Sequence, residues 1–186
     1  ERVGVSNVYT PIHIPLDDHI PFCEWFVIPY LFWFLFLIGM LVYTFFFEVP
    51  AFRKMMRFVI CTYSITMAIY ILFPNCQNLR PTAFPRDNIL TRFMAWFYTF
   101  DTNTNVCPSL HVIGAVASLY AGWKSRRFGT RPWRIVFVVI TVLISLSTVF
   151  LKQHSALDVF AALPLCALGW WVAELRIPKK KFADAR

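Results

Sequence analysis

Five stretches without a single Asp, Glu, Lys or Arg run through the chain: Phe26 to Phe47, Phe58 to Phe73, Pro108 to Trp123, Ile135 to Leu151 and Val159 to Ala173. Each approaches the roughly 20 residues a helix needs to cross about 30 Å of hydrocarbon, and modest polar extensions supply the remainder. Soluble domains are about 25% charged. This chain of 186 residues is 15% charged and 58% hydrophobic, which excludes a soluble globular domain, a disordered chain and a secreted disulfide scaffold. The expected fold is all-α: a polytopic membrane helical bundle of five transmembrane helices, forming one domain over residues 1–186. The spans are expected at about 26–47, 57–73, 108–123, 133–151 and 156–175, with an outer loop at 74–107.

The net charge of +8 is not spread evenly. Arg53, Lys54 and Arg57 fall between the first two spans, and Lys124, Arg126, Arg127, Arg131 and Arg134 between the third and fourth. Arg176, Lys179, Lys180, Lys181 and Arg186 follow the fifth. Thirteen of the 18 basic residues thus occupy alternate connections, the face that the positive-inside rule assigns to the cytoplasm. This pattern argues for a membrane and against nucleic acid as the partner. The other face holds segments 1–25, 74–107 and 152–158, where Arg80, Arg86, Arg92 and Lys152 stand against the rule. A chain that starts outside and ends inside has an odd number of spans, so one further upstream helix is expected in a six-span protein.

The connection 74–107 is long for a compact domain and is a candidate functional loop. Within it, Asp87 is expected to cap a short helix from Asn88 to Phe100, which is too short to span and is expected to lie in the outer interface. Cys76 and Cys107 bracket the loop, and a disulfide between them is one arrangement open to them on an oxidising face. Asp101 to Asn105 carries side chains that orient turns through bonds to backbone. Trp25, Tyr30 and Trp33 read as an outer aromatic belt, and Trp123, Trp133, Trp170 and Trp171 as an inner one.

Three clusters fall on the outer face. The first is Arg80-Pro81. The second is Cys107-Pro108-Ser109-Leu110-His111, where Pro108 fits the first turn of a helix. There the amides of Ser109 and Leu110, the Ser109 hydroxyl and the positive helix end would form an anion site. The third is Lys152-Gln153-His154-Ser155-Ala156-Leu157-Asp158, in which His154 and Asp158 are four residues apart and would share one helical face. A carboxylate so placed holds the imidazole Nδ1–H and leaves Nε2 to face the site. Two His residues, an Asp, a Ser and several cations at one depth suit phosphoryl transfer: one imidazole attacks phosphorus and the other protonates the leaving oxygen.

These residues resemble the type 2 phosphatidic acid phosphatase superfamily. Pro108-Ser109-Leu110-His111 is similar to its Pro-Ser-x-His core, His154-x-x-x-Asp158 to the end of its third motif, and Arg80-Pro81 to the end of its first, Lys-x6-Arg-Pro. The resemblance runs from about Phe26 to Glu174. It implies that His154 is the nucleophile, Asp158 its orienting partner, and His111 the general acid and then base, with Arg80 and Ser109 holding phosphate oxygens beside the Leu110 amide of the helix start. It also implies a metal-independent reaction with no cofactor, on a lipid phosphate that stays among membrane lipids. Two positions depart from the pattern: Phe73 stands where the first motif has Lys, and Thr148 where the third has Arg. Lys152 or Arg86 is expected to supply the replacement charge.

The leading expectation is a lipid phosphatase in the cell membrane with its site on the outer face. A head-group phosphotransferase of the inositol phosphorylceramide or sphingomyelin synthase type is the alternative, since related branches of that kind also vary at these motifs. A non-catalytic carrier with His111 and His154 as metal or haem ligands, or a small transporter, is the reading from a different class.

Overall fold

The structure is a computed structural model and describes residues 9–175. The basic residues from Arg176 onward lie outside the described residues. A two-residue strand β1 (Thr10–Pro11) and a short helix α1 (Pro15–His19) precede a 3-10 turn (Glu24–Phe26) that runs into α2 (Val27–Phe47). After α3 (Val49–Leu72) come β2 (Asn75–Cys76), α4 (Ile89–Phe100), α5 (Leu110–Lys124), α6 (Arg131–Phe150) and α7 (Ala156–Glu174). β1 pairs in parallel with β2, Thr10 opposite Asn75 and Pro11 opposite Cys76.

The five long helices alternate in direction, as bonds at their ends show. At one end the Cys23 amide donates to the Phe150 carbonyl, Tyr70 Oη to the Pro108 carbonyl and the Ser109 amide to the Asp158 carbonyl. At the other end Glu48 accepts from Tyr43 Oη, Ser125 Oγ and the Arg126 amide, while Glu174 pairs with Lys54 and Lys124. Two acidic side chains thus neutralise part of the basic face and lock the helix ends there.

Four segments are long and apolar enough to cross a membrane: Glu24–Phe47, Val49–Leu72, Arg131–Phe150 and Ala156–Glu174. They support an integral membrane protein. The expected third span differs. α5 has 15 residues, about 22 Å of rise against about 30 Å of hydrocarbon. It lies at the centre, packed by α2, α3, α6 and α7. Small residues make that position possible: Gly114, Ala115, Ala117, Ser118, Ala121 and Gly122 are all buried. Large side chains instead line the outside of the bundle, with Leu35, Ile38, Phe46, Phe47, Ile71 and Leu72 all exposed, a distribution suited to lipid rather than water.

The second span also begins earlier than its charge-free stretch. Pro50 sits in the first turn of α3, so Arg53, Lys54 and Arg57 lie within the helix, and only Glu48 separates it from α2. Proline tolerates this place because the first amides of a helix have no intrahelical acceptor.

Gly169 shows how closely the helices approach. A Cβ there would lie 2.5 Å from Thr62 Cγ2 and 3.1 Å from Phe58 Cδ2, both on fully buried residues. Thr62 cannot turn away freely, because Oγ1 donates to the Phe58 carbonyl at 2.9 Å. Gly169→Ala is therefore expected to destabilise the bundle by roughly 1–3 kcal/mol, read as a lower unfolding midpoint in detergent; an unchanged midpoint would contradict the close packing of α3 and α7.

Candidate active site

Two helix starts, those of α5 and α7, meet helix α2 and the 74–107 loop at one end of the bundle. Ser109 is the N-cap of α5, its hydroxyl accepting from the Val112 amide at 3.5 Å, so Pro108 precedes the helix rather than occupying its first turn. The Ser109 amide donates to the Asp158 carbonyl at 3.1 Å and is not available to an anion, whereas Leu110 begins the helix, where amides lack intrahelical acceptors. His111 follows. Its ring lies 5.6 Å from that of His154, centroid to centroid, with the planes inclined at 68°.

His154 is held by a helix cap. Ser155 is the N-cap of α7 and Asp158 its third helical residue, so the pair forms a capping box. Asp158 Oδ2 accepts from the Ser155 amide at 3.0 Å and from His154 Nδ1 at 3.0 Å. His154 thus precedes the helix instead of sharing a helical face with Asp158, and the box brings them together. A carboxylate only accepts, so Nδ1 carries the proton and Nε2 keeps its lone pair in the neutral ring. Asp158 is fully buried and His154 nearly so.

Two aromatic residues assigned to the belt instead serve the site. Tyr30, 2% exposed, stacks on His111 at 4.6 Å, and Trp33 packs against the same ring at 4.4 Å. Both come from α2, whose approach to α5 depends on Gly114: a Cβ there would lie 2.9 Å from Trp33 Nε1.

Arg80 is anchored by the loop. Its guanidinium donates to the carbonyls of Tyr98, Asp101 and Thr102 and, at 2.5 Å, to Gln153 Oε1, while lying 4.7 Å above the Tyr98 ring. The tract from Asp101 to Asn105 thus organises the loop through its backbone. Asn103 adds a bond from Nδ2 to the Gln77 carbonyl. Among the described residues, Arg80 Nε, His111 Nε2 and Asp158 Oδ1 are buried without a hydrogen-bond partner.

The two expected substitute cations are engaged elsewhere. Lys152 Nζ donates to the Asp17 carbonyl at 2.7 Å. Arg86 pairs at 3.2 Å with Glu24, whose carboxylate is 2% exposed and needs a counter-charge. Phe73 is an exposed helix cap, and Thr148 is fully buried with its carbonyl accepting from the amides of Gln153 and His154. Within the loop, the cap of α4 is Asn88 rather than Asp87: its side chain accepts from the Leu90 and Thr91 amides, and Asp87 instead forks onto Arg92. Cys76 and Cys107 are free thiols. Among the described residues no three His, Cys, Asp or Glu side chains are placed to hold a metal ion.

A model of the PAP2 superfamily matches residues 7–172. The chain belongs to the PAP2 superfamily. Members of this superfamily are generally phosphatases, which supports an enzyme of that class. No curated protein and no solved structure matches the chain.

Three side-chain amides around these residues were given no role by the sequence. Asn75 Oδ1 accepts from the Val106 and Cys107 amides, and its Nδ2 donates to the Cys107 carbonyl, holding the chain that enters α5. Gln77 Nε2 donates to the Lys152 carbonyl at 2.9 Å. Gln153 joins Arg80 to Asp101 Oδ2. An Asn or Gln in a loop is ordinarily solvated, and only burial turns these into connectors.

Burial, and then the charge of the facing Asp158 carboxylate, push the Cys107 thiol up to about 12. It therefore stays protonated at neutral pH and is a poor nucleophile. A variant keeping Cys107 as its sole cysteine is expected to react with iodoacetamide at pH 8 roughly tenfold or more slowly than an ordinary thiol. Labelling at the ordinary rate would contradict this environment.

Proposed function

We propose that this PAP2 superfamily protein is an integral-membrane lipid phosphate phosphatase that works through a phosphohistidine, with its site at the outer face of the cell membrane. In this reading α5 and its polar start complete a fifth crossing, and the substrate keeps its acyl or prenyl chain in the bilayer while its phosphate enters among the helix starts. The carrying observation is the pair of imidazoles 5.6 Å apart, one of them fixed by a buried carboxylate. At that distance one phosphoryl group reaches both ring edges.

The chemistry follows from the roles open to each ring. His154 Nε2 donates its lone pair to phosphorus, forming a P–N bond as the P–O bond to the lipid breaks. His111, protonated once the negative phosphate lies beside it, gives its proton to the departing oxygen. The imidazole ring of His154 becomes cationic, which the Asp158 carboxylate on Nδ1 stabilises. In the second half His111 takes a proton from water, the water oxygen attacks phosphorus, and the P–N bond returns its electrons to His154. Arg80 through Nε and the Leu110 amide would hold the equatorial oxygens, where charge is concentrated in the transition state. The Ser109 hydroxyl contributes by capping α5.

Metal or haem ligation is less well served by the same rings. The Arg80 cation, tied to Gln153, the residue next to His154, disfavours a second cation there.

The test is phosphate release from a panel of lipid phosphates: phosphatidic acid, phosphatidylglycerol phosphate, a prenyl diphosphate and a sphingoid phosphate. His154→Ala is expected to abolish both release and the acid-labile covalent phosphate. His111→Ala is expected to retain phosphohistidine formation from substrates with good leaving groups, which need little protonation. Asp158→Asn is expected to lower kcat about 100-fold or more with little change in KM, because it disturbs orientation. Inorganic phosphate as product supports hydrolysis, whereas a new phosphodiester formed with an added acceptor alcohol would replace it with head-group transfer. Full activity of His154→Ala would overturn the mechanism.

A further inference from the structure

We propose that Asp17, from the short helix before the bundle, is a positioning residue for His154. The proposal deepens the phosphatase reading and rests on it for the reaction, while its geometry stands independently of any substrate.

Asp17 is 2% exposed although α1 has only five residues and lies outside the bundle. Its neighbour Asp18 shows the ordinary alternative, an exposed carboxylate paired with His13 at 2.9 Å. Asp17 is buried because it closes the start of α7. Its Oδ1 accepts from the Ala156 amide at 2.7 Å, and its Oδ2 accepts from Ser155 Oγ at 2.6 Å and from the Ile14 amide at 2.9 Å. The first two bonds join residues nearly 140 positions apart.

Ser155 is the residue between His154 and the helix that carries Asp158. A hydroxyl has one proton, and by giving it to Asp17 the Ser155 Oγ keeps its lone pairs for the Leu157 amide, 3.1 Å away. Ser155 is thereby held on both sides: Asp17 takes its side chain, and Asp158 Oδ2 takes its amide. That same Asp158 oxygen holds His154 Nδ1. Any tilt of Ser155 is passed to the imidazole through one shared oxygen.

The turn itself is fastened to the same helix. Lys152 adopts a left-handed backbone, φ 53°, which a non-glycine residue keeps only where its surroundings impose it. Its ammonium donates to the Asp17 carbonyl at 2.7 Å. Asp17 and its own backbone therefore hold three of the five residues from Lys152 to Ala156. The chain leading into α1 is in turn tied to the 74–107 loop, since the Thr10 amide of β1 donates to the Pro74 carbonyl and the Ile12 amide to the Cys76 carbonyl. A negative side chain at the start of a long helix is also favoured by the helix dipole, so the arrangement is stable as well as directional.

The experiment compares Asp17→Ala, Asp17→Asn, Ser155→Ala and the double variant Asp17→Ala/Ser155→Ala in the full chain, with Asp18→Asn as control. Asp17→Ala is expected to lower kcat about 10- to 100-fold with KM within about threefold, the range for partners that orient a catalytic group. Asp17→Asn, isosteric and able to accept one of the bonds, is expected to recover part of the loss. The double variant is expected to be no worse than Asp17→Ala alone, because both act through one bond. Asp18→Asn is expected to match the parent. A second readout needs no turnover: the ¹⁵N resonances of the His154 ring are expected to shift in Asp17→Asn and Ser155→Ala. Unchanged His154 resonances, or a kcat per folded molecule equal to the parent in Asp17→Asn and Ser155→Ala, would overturn the proposal. Shifted resonances in a protein that turns over no lipid phosphate would keep Asp17 as a positioning residue and remove the phosphatase reading instead.

Discussion

One carboxylate oxygen, Asp158 Oδ2, accepts both the Ser155 amide that opens α7 and the Nδ1–H of His154. The helix start and the imidazole orientation are therefore set by the same pair of bonds. The Asp158 carbonyl also receives the Ser109 amide, which brings the start of α5, and with it His111, to the same place. The remaining site residues are arranged around these two helix starts. Asn75 holds the chain entering α5, while Gln77 and Gln153 attach the turn before α7 to the 74–107 loop.

The bundle makes such polar crowding tolerable. Small residues along α5 let four longer helices close around it, and their bulky side chains face outward where lipid would lie. Ionisable groups near hydrocarbon persist only when paired or solvated, and at both ends this protein pairs them. At one end Glu48 and Glu174 collect amides, hydroxyls and lysines. At the other Glu24 takes Arg86, and Asp17 takes the start of α7.

That pairing also explains why charge at a given sequence position is a poor guide to the proposed phosphate pocket. Lys152 is two residues from His154, yet its ammonium points to a backbone carbonyl of α1. Arg86 lies in the right loop but neutralises a buried glutamate. Arg80 stays beside the site because three loop carbonyls and Gln153 hold its guanidinium there. Phe73 and Thr148 stand where the resemblance led one to expect cations, and Thr148 supports the His154 turn through its carbonyl. The proposed anion site accordingly leans on Arg80 and helix amides more than on a cluster of cations.

The charge-free stretches, the alternating basic connections and the order of Arg80, Ser109, His111, His154 and Asp158 were legible in the sequence, because each depends on composition or local spacing. Membrane-crossing length and helix capping are decided within about 20 consecutive residues. The long-range features were not legible: the burial of α5, the turn of Tyr30 and Trp33 from an expected belt onto His111, and the reach of Asp17 to Ser155. Each joins segments many tens of residues apart. Whether a Tyr meets lipid or an imidazole, or an Asp meets water or a helix start, depends on which helices pack together, and no local pattern encodes that.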